Sequence, residues 1–270
     1  MCNRFRSNRL FTNILIFGLL SACLLVAGCK PFHSTPQAVD GVMDLTGWNF
    51  TTNGTVALSG QWESYWHHLY SPEDFLNMPA TNAADLITMP SLWTHHTANE
   101  NRLDADGYAT YRLCVHVAPS ETPMALSLGN IRQAYRLWAN GVPVGSDGRV
   151  AVHGNREMRG VGNNPFVPLP LSASRSGTLE LVLQVSNHSH WSGGADSQFA
   201  RFGTAGQIKG RQTRQHRFKV VAVTILFSIA VYHLLLFFFR PKDFSTLYFS
   251  MFCLLWMIPV SYTHLRAHET

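Results

Sequence analysis

Tyr111-Arg112-Leu113-Cys114-Val115-His116-Val117 is the stretch that decides the fold. Tyr111, Leu113, Val115 and Val117 fall at every second position, and an extended chain sends successive side chains to opposite faces. The apolar face therefore reads as buried, with Arg112, Cys114 and His116 turned away from it. Leu179, Leu181, Leu183 and Val185 repeat the pattern, with Glu180 and Gln184 opposite. Residues 124–128 and 135–139 are two further candidate strands. Asn140-Gly141, directly after the second, predicts a two-residue hairpin because both residues tolerate positive φ. Many short strands broken by turn residues, with no helical period between them, predict a sandwich or barrel from Leu45 onward. One helical turn is expected at residues 71–76 (SPEDFL), where Ser caps, Pro occupies the first turn and acids follow.

Outward from this β region the composition changes. Residues 10–29 and 220–239 are nearly free of charge. The formal net charge of +5 is concentrated beside these apolar runs, at Arg4, Arg6 and Arg9 and at Arg211, Arg214, Arg217 and Lys219. Between Lys30 and Lys209 there are 11 basic against 14 acidic residues, so the middle of the chain is net acidic. Basic residues flanking apolar spans belong to membrane topology and headgroup contact. No basic stripe interleaved with aromatics occurs in between, which argues against a nucleic-acid partner.

The first 29 residues read as an export signal: a basic start, an apolar run, and small residues before Cys29. Val26-Ala27-Gly28-Cys29 resembles a bacterial lipobox, which would place a lipid on Cys29; an ordinary cleaved signal or an uncleaved anchor is the alternative. Residues 30–44 form a polar, Pro-containing tether. Of the five cysteines, only Cys114 falls in the β region, so packing and not a disulfide must hold it together. Residues 206–219 read as a basic juxtamembrane linker, and residues 220–239 as a first membrane helix, about 30 Å long and matched to a bilayer core. Residues 244–259 begin a second. The loop between them has two basic residues against four in 211–219, opposite to the positive-inside trend; long exported domains largely escape that trend, so the export signal decides the orientation. Residues 260–270 (VSYTHLRAHET) look like a translated sequencing adapter and are expected to be an artefact.

Several residues invite a functional reading. Trp62, Trp66 and Trp93 could stack on a sugar, although core filling is the plainer expectation. Arg132, Tyr135, His188, His190 and Trp191 are the candidate ligand contacts, because they sit at strand ends or in a Gly-rich loop, where rigid sandwiches carry recognition. His188 and His190 would point the same way along a strand. The thirteen histidines show no structural zinc spacing, and no metal or other cofactor is expected. Asp104 and Asp106, two oxygen donors in one loop, are the one pair that could hold a structural calcium. Glu63, Glu73, Glu157 and Glu180 read as solvated, and with no nucleophile motif or phosphate-cradling loop the chain is not expected to be an enzyme. His233 lies mid-span and is expected to face the interior of a helix bundle.

The order of several short motifs resembles a known family. They are Ser59-Gly60-Gln61-Trp62-Glu63-Ser64-Tyr65-Trp66, Met89-Pro90-Ser91-Leu92-Trp93, Gly107-Tyr108-Ala109-Thr110-Tyr111-Arg112-Leu113, Ala134-Tyr135-Arg136-Leu137-Trp138-Ala139-Asn140-Gly141, Gln184-Val185-Ser186-Asn187-His188 and Gly193-Gly194. Tyr232-His233-Leu234 resembles the entry to that family's membrane domain. The sequence is similar, over roughly residues 45–259, to bacterial seven-transmembrane receptors with diverse intracellular signalling modules, in the subset with a galactose-binding-like jelly-roll ectodomain. The resemblance implies an all-β jelly-roll sandwich over residues 45–205, followed by transmembrane helices. It also implies a periplasmic sensor in the bacterial inner membrane, taking a small-molecule or glycan ligand. The output module, of cyclase, diguanylate cyclase or kinase type, would lie beyond this fragment. Similar jelly rolls also serve as non-catalytic carbohydrate-binding modules of membrane-anchored glycosidases, which is the alternative; a second apolar span directly after the first favours the receptor.

Overall fold

The computed structural model describes residues 35–77, 84–98, 101–129, 131–154, 166–195, 200–240, 242 and 244–265. The export signal, Cys29 and the adapter-like residues after Leu265 lie outside the described residues. The chain divides into two compact units, Met1–Thr35 and Pro36–Thr270, and every element named below belongs to the second.

The β region opens with β1 (Val42–Leu45), the one-turn helix α1 (Phe50–Asn53), β2 (Val56–Ala57) and β3 (Gly60–Trp66). Helix α2 (Pro72–Asn77), β4 (Asp85–Met89) and the small pair β5 (Thr97–Ala98) and β6 (Asn101–Arg102) follow. The long strand β7 (Gly107–Val117) leads to β8 (Met124–Leu128), β9 (Ile131–Arg132), β10 (Ala134–Ala139) and β11 (Val142–Asp147). Next come β12 (Phe166–Pro168), α3 (Leu171–Arg175), β13 (Thr178–Asn187), β14 (Gly194–Ala195) and β15 (Ala200–Thr204). Two long helices close the chain, α4 (Ala205–Phe239) and α5 (Phe244–Leu265).

Two sheets carry the core. The larger runs β11-β10-β13-β7-β3-β4, with β1 parallel to β7 along the same edge that β3 uses further back. The smaller runs β12-β8-β15-β2. In β7 burial alternates as the sequence predicts: Tyr111, Leu113, Val115 and Val117 are buried, while Arg112, Cys114 and His116 are partly exposed. These side chains join Leu126, Leu128, Val167 and Phe202 of the smaller sheet in one apolar cluster, which makes the β region a sandwich of two mainly antiparallel layers. Trp62 and Trp93 are fully buried in it, so the core reading of these two tryptophans holds. Trp66 is partly buried, edge-on to Trp93 at 5.1 Å.

The hairpin forms where Asn140-Gly141 puts it. Asn140 has φ 48 and Gly141 φ 77, and Ala139 pairs with Val142 across them. Positive φ at both central residues gives the turn a twist that matches the strands. Asn140 also clamps its neighbour: its Nδ2 donates to Thr178 O at 2.9 Å, and its Oδ1 accepts from Glu180 N at 2.6 Å.

Basic residues 206–219, expected as a linker, are the first turns of α4, which runs unbroken for 35 residues. Nothing in that stretch stops a helix, since it contains no proline and only two early glycines. Helix α4 is long and apolar enough to cross a membrane. Its first turns pack on β8 and β15, where Ile208 is completely buried. Further along it pairs with α5: His233 sits edge-on to Phe249 at 4.6 Å, and Ser250 Oγ donates to Ala230 O at 2.9 Å.

Leu113 lies on the central strand with no exposed surface. Leu113→Ala is expected to lower stability by about 2–5 kcal/mol, the cost of a buried leucine truncation. A drop in the urea midpoint of the β-sheet circular dichroism signal checks this.

Candidate functional site

The pairing of β7 with β13 gives the sandwich two distinct ends. Gly107 is opposite Asn187 at one end, and His116 is opposite Thr178 at the other. The predicted ligand loop, residues 187–194, lies at the first end. Helix α4 starts at the second, because β15 runs from Ala200 beside Leu128 to Thr204 beside Met124.

Asn187 organises the loop. It has no exposed surface, and its Nδ2 donates to Ala105 O at 2.7 Å and His190 O at 2.9 Å while its Oδ1 accepts from His190 N at 3.1 Å. Such a residue holds three backbone groups that would otherwise go unpaired. The strand ends at Asn187, so His188 and His190 do not share a strand face as expected. His188 turns inward against Gly154, with Nδ1 at 2.6 Å from Asp106 Oδ1 and Nε2 at 2.9 Å from Ala151 O. A ring between two acceptors donates to both only when doubly protonated. His190 Nδ1 stays within the loop, at 3.0 Å from Ser192 O.

The remaining candidates separate. Trp191 is 78% exposed, its ring tilted 5.5 Å from that of His190. Arg132 is brought beside the loop by backbone pairing with Gly194, and its side chain lies outside the described residues. Tyr135 belongs to the core, with 4% of its surface exposed. Burial, assisted by the charge of Asp147, pushes its hydroxyl up to about 12. The structure therefore removes Tyr135 from the surface set and leaves His188, His190 and Trp191 together. Gln133, which the sequence did not single out, ties the loop down: its Nε2 donates to Ser189 Oγ at 2.5 Å and its Oε1 accepts from His188 N at 3.3 Å.

The glycines at 193 and 194 serve close packing. A Cβ on Gly193 would run into the Trp93 indole, and one on Gly194 would stand 2.9 Å from Trp93 N. Gly194 also has φ 105, which L side chains rarely adopt. The loop is thus pressed onto a buried tryptophan and pinned by side chains, with Trp191 as its projecting member.

A second polar group lies on the outer face of the larger sheet, where the sequence suggested only solvated acids. Arg112 Nη2 is 2.6 Å from Glu180 Oε1, and Arg112 Nη1 is 3.3 Å from Glu63 Oε2. The Phe75 ring of α2 stands 4.9 Å from the guanidinium. Tyr65 donates to Glu63 Oε2 at 3.0 Å; burial, then the charge of Glu63, pushes that hydroxyl up to about 12. The three charges come from residues 49 and 68 positions apart, so only strand order brings them together. Asp104 and Asp106 do not act as a pair, since Asp106 is taken by His188 and Asp104 accepts from Ala105 N at 2.6 Å. Among the described residues no three His, Cys, Asp or Glu side chains group as metal ligands would.

Two outcomes follow from these placements. Asn187→Ala is expected to cost about 1–3 kcal/mol, the penalty for buried polar groups left unpaired, whereas Trp191→Ala is expected to stay within about 0.5 kcal/mol of wild type; thermal unfolding of both variants checks this. Tyr65 and Tyr135 should also ionise late in an alkaline absorbance titration at about 12, against 10.0 for a free tyrosine. Because the unfolded chain ionises first, their contribution to stability is complete below pH 10.0 and is lost as pH rises toward about 12.

No family model matches the sequence, and no curated protein matches it. Among solved structures the chain is similar to a β-glucuronidase of an uncultured Clostridium, at 14% identity and a TM-score of 0.39, over 56% of this chain and 29% of that one. A Ruminococcus gnavus β-glucuronidase gives 17% identity and 0.35, over 49% and 21%. Bacteroides uniformis β-glucuronidase 3 gives 12% and 0.39, over 55% and 22%. The chain spans less than a third of each of these enzymes, and at such scores the likeness carries no argument about function.

Proposed function

We propose that this chain is the sensor portion of a bacterial membrane receptor. Its β sandwich, a jelly roll of the galactose-binding type, faces the periplasm and takes a small polar or carbohydrate-like ligand. Helix α4 is the first span of an inner-membrane bundle, α5 is the second, and the bundle passes the signal to a cytoplasmic output module of cyclase, diguanylate cyclase or kinase type.

The observation that best supports this reading is the joint between sandwich and helix. Strand β15 passes into α4 with no intervening loop. Thr204 caps the helix in a reciprocal box with Gln207, at 3.3 Å in each direction. Such a box satisfies two otherwise orphaned N–H groups and fixes the angle at which the helix leaves. Gln207 Nε2 also donates to Phe50 O at 2.5 Å, and Ala205 N to Pro123 O at 2.8 Å. A flexible tether would serve an anchor equally well, whereas a receptor needs a stiff joint through which a change in the sandwich reaches the helix. A second apolar helix folded back on the first also exceeds what an anchor requires.

Reporter fusions test the topology. Alkaline phosphatase fused after Thr204 is expected to be active, because it is exported. Fused after Lys242 it is expected to be inactive, while green fluorescent protein at that site fluoresces. The reverse pattern would overturn the proposal.

A further inference from the structure

We infer that the sandwich has a ligand seat at the root of α4, in a cavity of about 430 Å³ at the end opposite the exposed Trp191, and that this seat takes an uncharged, hydroxyl-bearing molecule of about monosaccharide size. The volume falls in the range of small-molecule sites, roughly 300–1,000 Å³. Four stretches distant in sequence meet here: the turn after β1 with α1, the loop between β7 and β8, helix α3, and the cap of α4.

The walls specify the chemistry. Trp48 and Phe50 provide aromatic surface, and both pack on the core. The polar residues Thr46, Asn49, Thr122, Ser174 and Thr204 are among those that line the rest, and no ionisable residue lines it among the described residues. Asn49 Oδ1 already accepts from Thr51 N at 2.9 Å and Thr52 N at 3.3 Å, which leaves its NH2 to donate. The decisive atom is Ser174 Oγ. Ser174 is 4% exposed, and its hydroxyl has no hydrogen-bond partner among the described residues. A buried hydroxyl left unpaired is costly and uncommon; Ser174 Oγ has less than 1 Å² open to solvent, so an occupant of the adjoining cavity pairs it by shifting the wall to which Ser174 belongs. A carboxylate or phosphate ligand would find no cation among these walls, whereas a neutral polyol would find donors, acceptors and an apolar platform.

The seat is joined to the helix by short links. Phe50 stacks edge-on against Phe202 of β15 at 5.4 Å, and its carbonyl receives the Gln207 side chain. Thr204, a lining residue, is the N-cap itself. An occupant that orders the 46–51 wall therefore bears on the first turn of α4 through one side chain. The binding stands without the receptor reading; only its consequence for signalling rests on it.

Titration calorimetry of the full chain in detergent micelles, with glucose, galactose, N-acetylglucosamine and galacturonate as probes, tests the seat. At least one neutral sugar should bind saturably, and galacturonate, which differs from galactose by a carboxylate, should not. Thr122→Trp, an exposed substitution at the rim, should abolish binding. Ser174→Ala should weaken it about 5- to 10-fold, the worth of one hydrogen bond. Trp191→Ala should leave it unchanged. Hydrogen exchange at residues 204–208 should slow when the sugar is present. Absence of binding by every neutral sugar, binding by galacturonate alone, wild-type affinity in both Thr122→Trp and Ser174→Ala, or unaltered exchange at 204–208 in the bound state would each overturn the inference. Loss of binding in a folded Trp191→Ala would overturn it in favour of the far loop. The reporter fusions read membrane topology independently, so a failed titration leaves that proposal standing and inverted topology leaves the seat standing.

Discussion

The pairing of β7 with β13 is the constraint on which the rest of the structure depends. Ten consecutive residue pairs, from Gly107 with Asn187 to His116 with Thr178, align the two strands at the middle of the larger sheet. A one-residue slip would turn Leu113 and Leu181 outward and bring Arg112 and Glu180 into the core, so burial fixes the register. The 187–194 loop and the cavity at the root of α4 are then located by which end of this pair they adjoin. At the Asn187 end, the loop is pinned to Asp106, Gln133 and Trp93. At the Thr178 end, Val117 N donates to Gly177 O at 2.9 Å and Ser120 N to Ser174 O at 3.0 Å, which builds the wall of the cavity below α4.

The separation of these ends changes how the polar loop can be understood. In sequence, Trp191 stands close to the helix; in the fold, β15 carries the chain back across the sandwich before α4 begins. An eleven-residue strand such as β7 spans about 36 Å, and a packed sandwich core resists graded deformation. A molecule held at Trp191 would have to act through that length. A molecule at the root cavity touches the wall to which Gln207 is bonded. Any ligand shifts a conformational equilibrium only by its preference for one state, and contacts near the joint express such a preference most directly.

How far the sequence revealed this structure depends on the range of the interaction. The β7 alternation, the Asn140-Gly141 turn and the helical turn near Pro72 are set by neighbours a few residues apart, and all three are where the pattern puts them; β13 forms as a strand, but Val182, Gln184 and Ser186 on its opposite face are buried as well. The Arg112–Glu63–Glu180 cluster was hidden because its members come from three strands, and their adjacency follows from sheet order alone. The role of the glycines in the 187–194 loop carries no local sign, because the Trp93 ring they accommodate is about a hundred residues away in the chain. Tyr135 was misassigned for a related reason: a tyrosine in an alternating strand carries no local sign of whether its ring faces core or surface. The root cavity left no sequence signal, being assembled from four separate turns.

The unbroken course of α4 ties these observations together. Thirty-five helical residues extend about 52 Å, well beyond the roughly 30 Å of a bilayer core. The excess is the stretch that carries Arg211, Arg214, Arg217 and Lys219, whose positive charge suits a headgroup layer better than hydrocarbon. A break between Lys209 and Lys219 would uncouple the cap from the span; Gly210 lies in this stretch, yet the helix runs through it without interruption. In the proposed receptor, a displacement at Thr204 would pass along a continuous hydrogen-bonded helix toward the segment where His233 meets Phe249 and Ser250 meets Ala230. The interhelical contacts of α4 with α5 thus sit at the far end of the same rigid element that begins in the wall of the cavity.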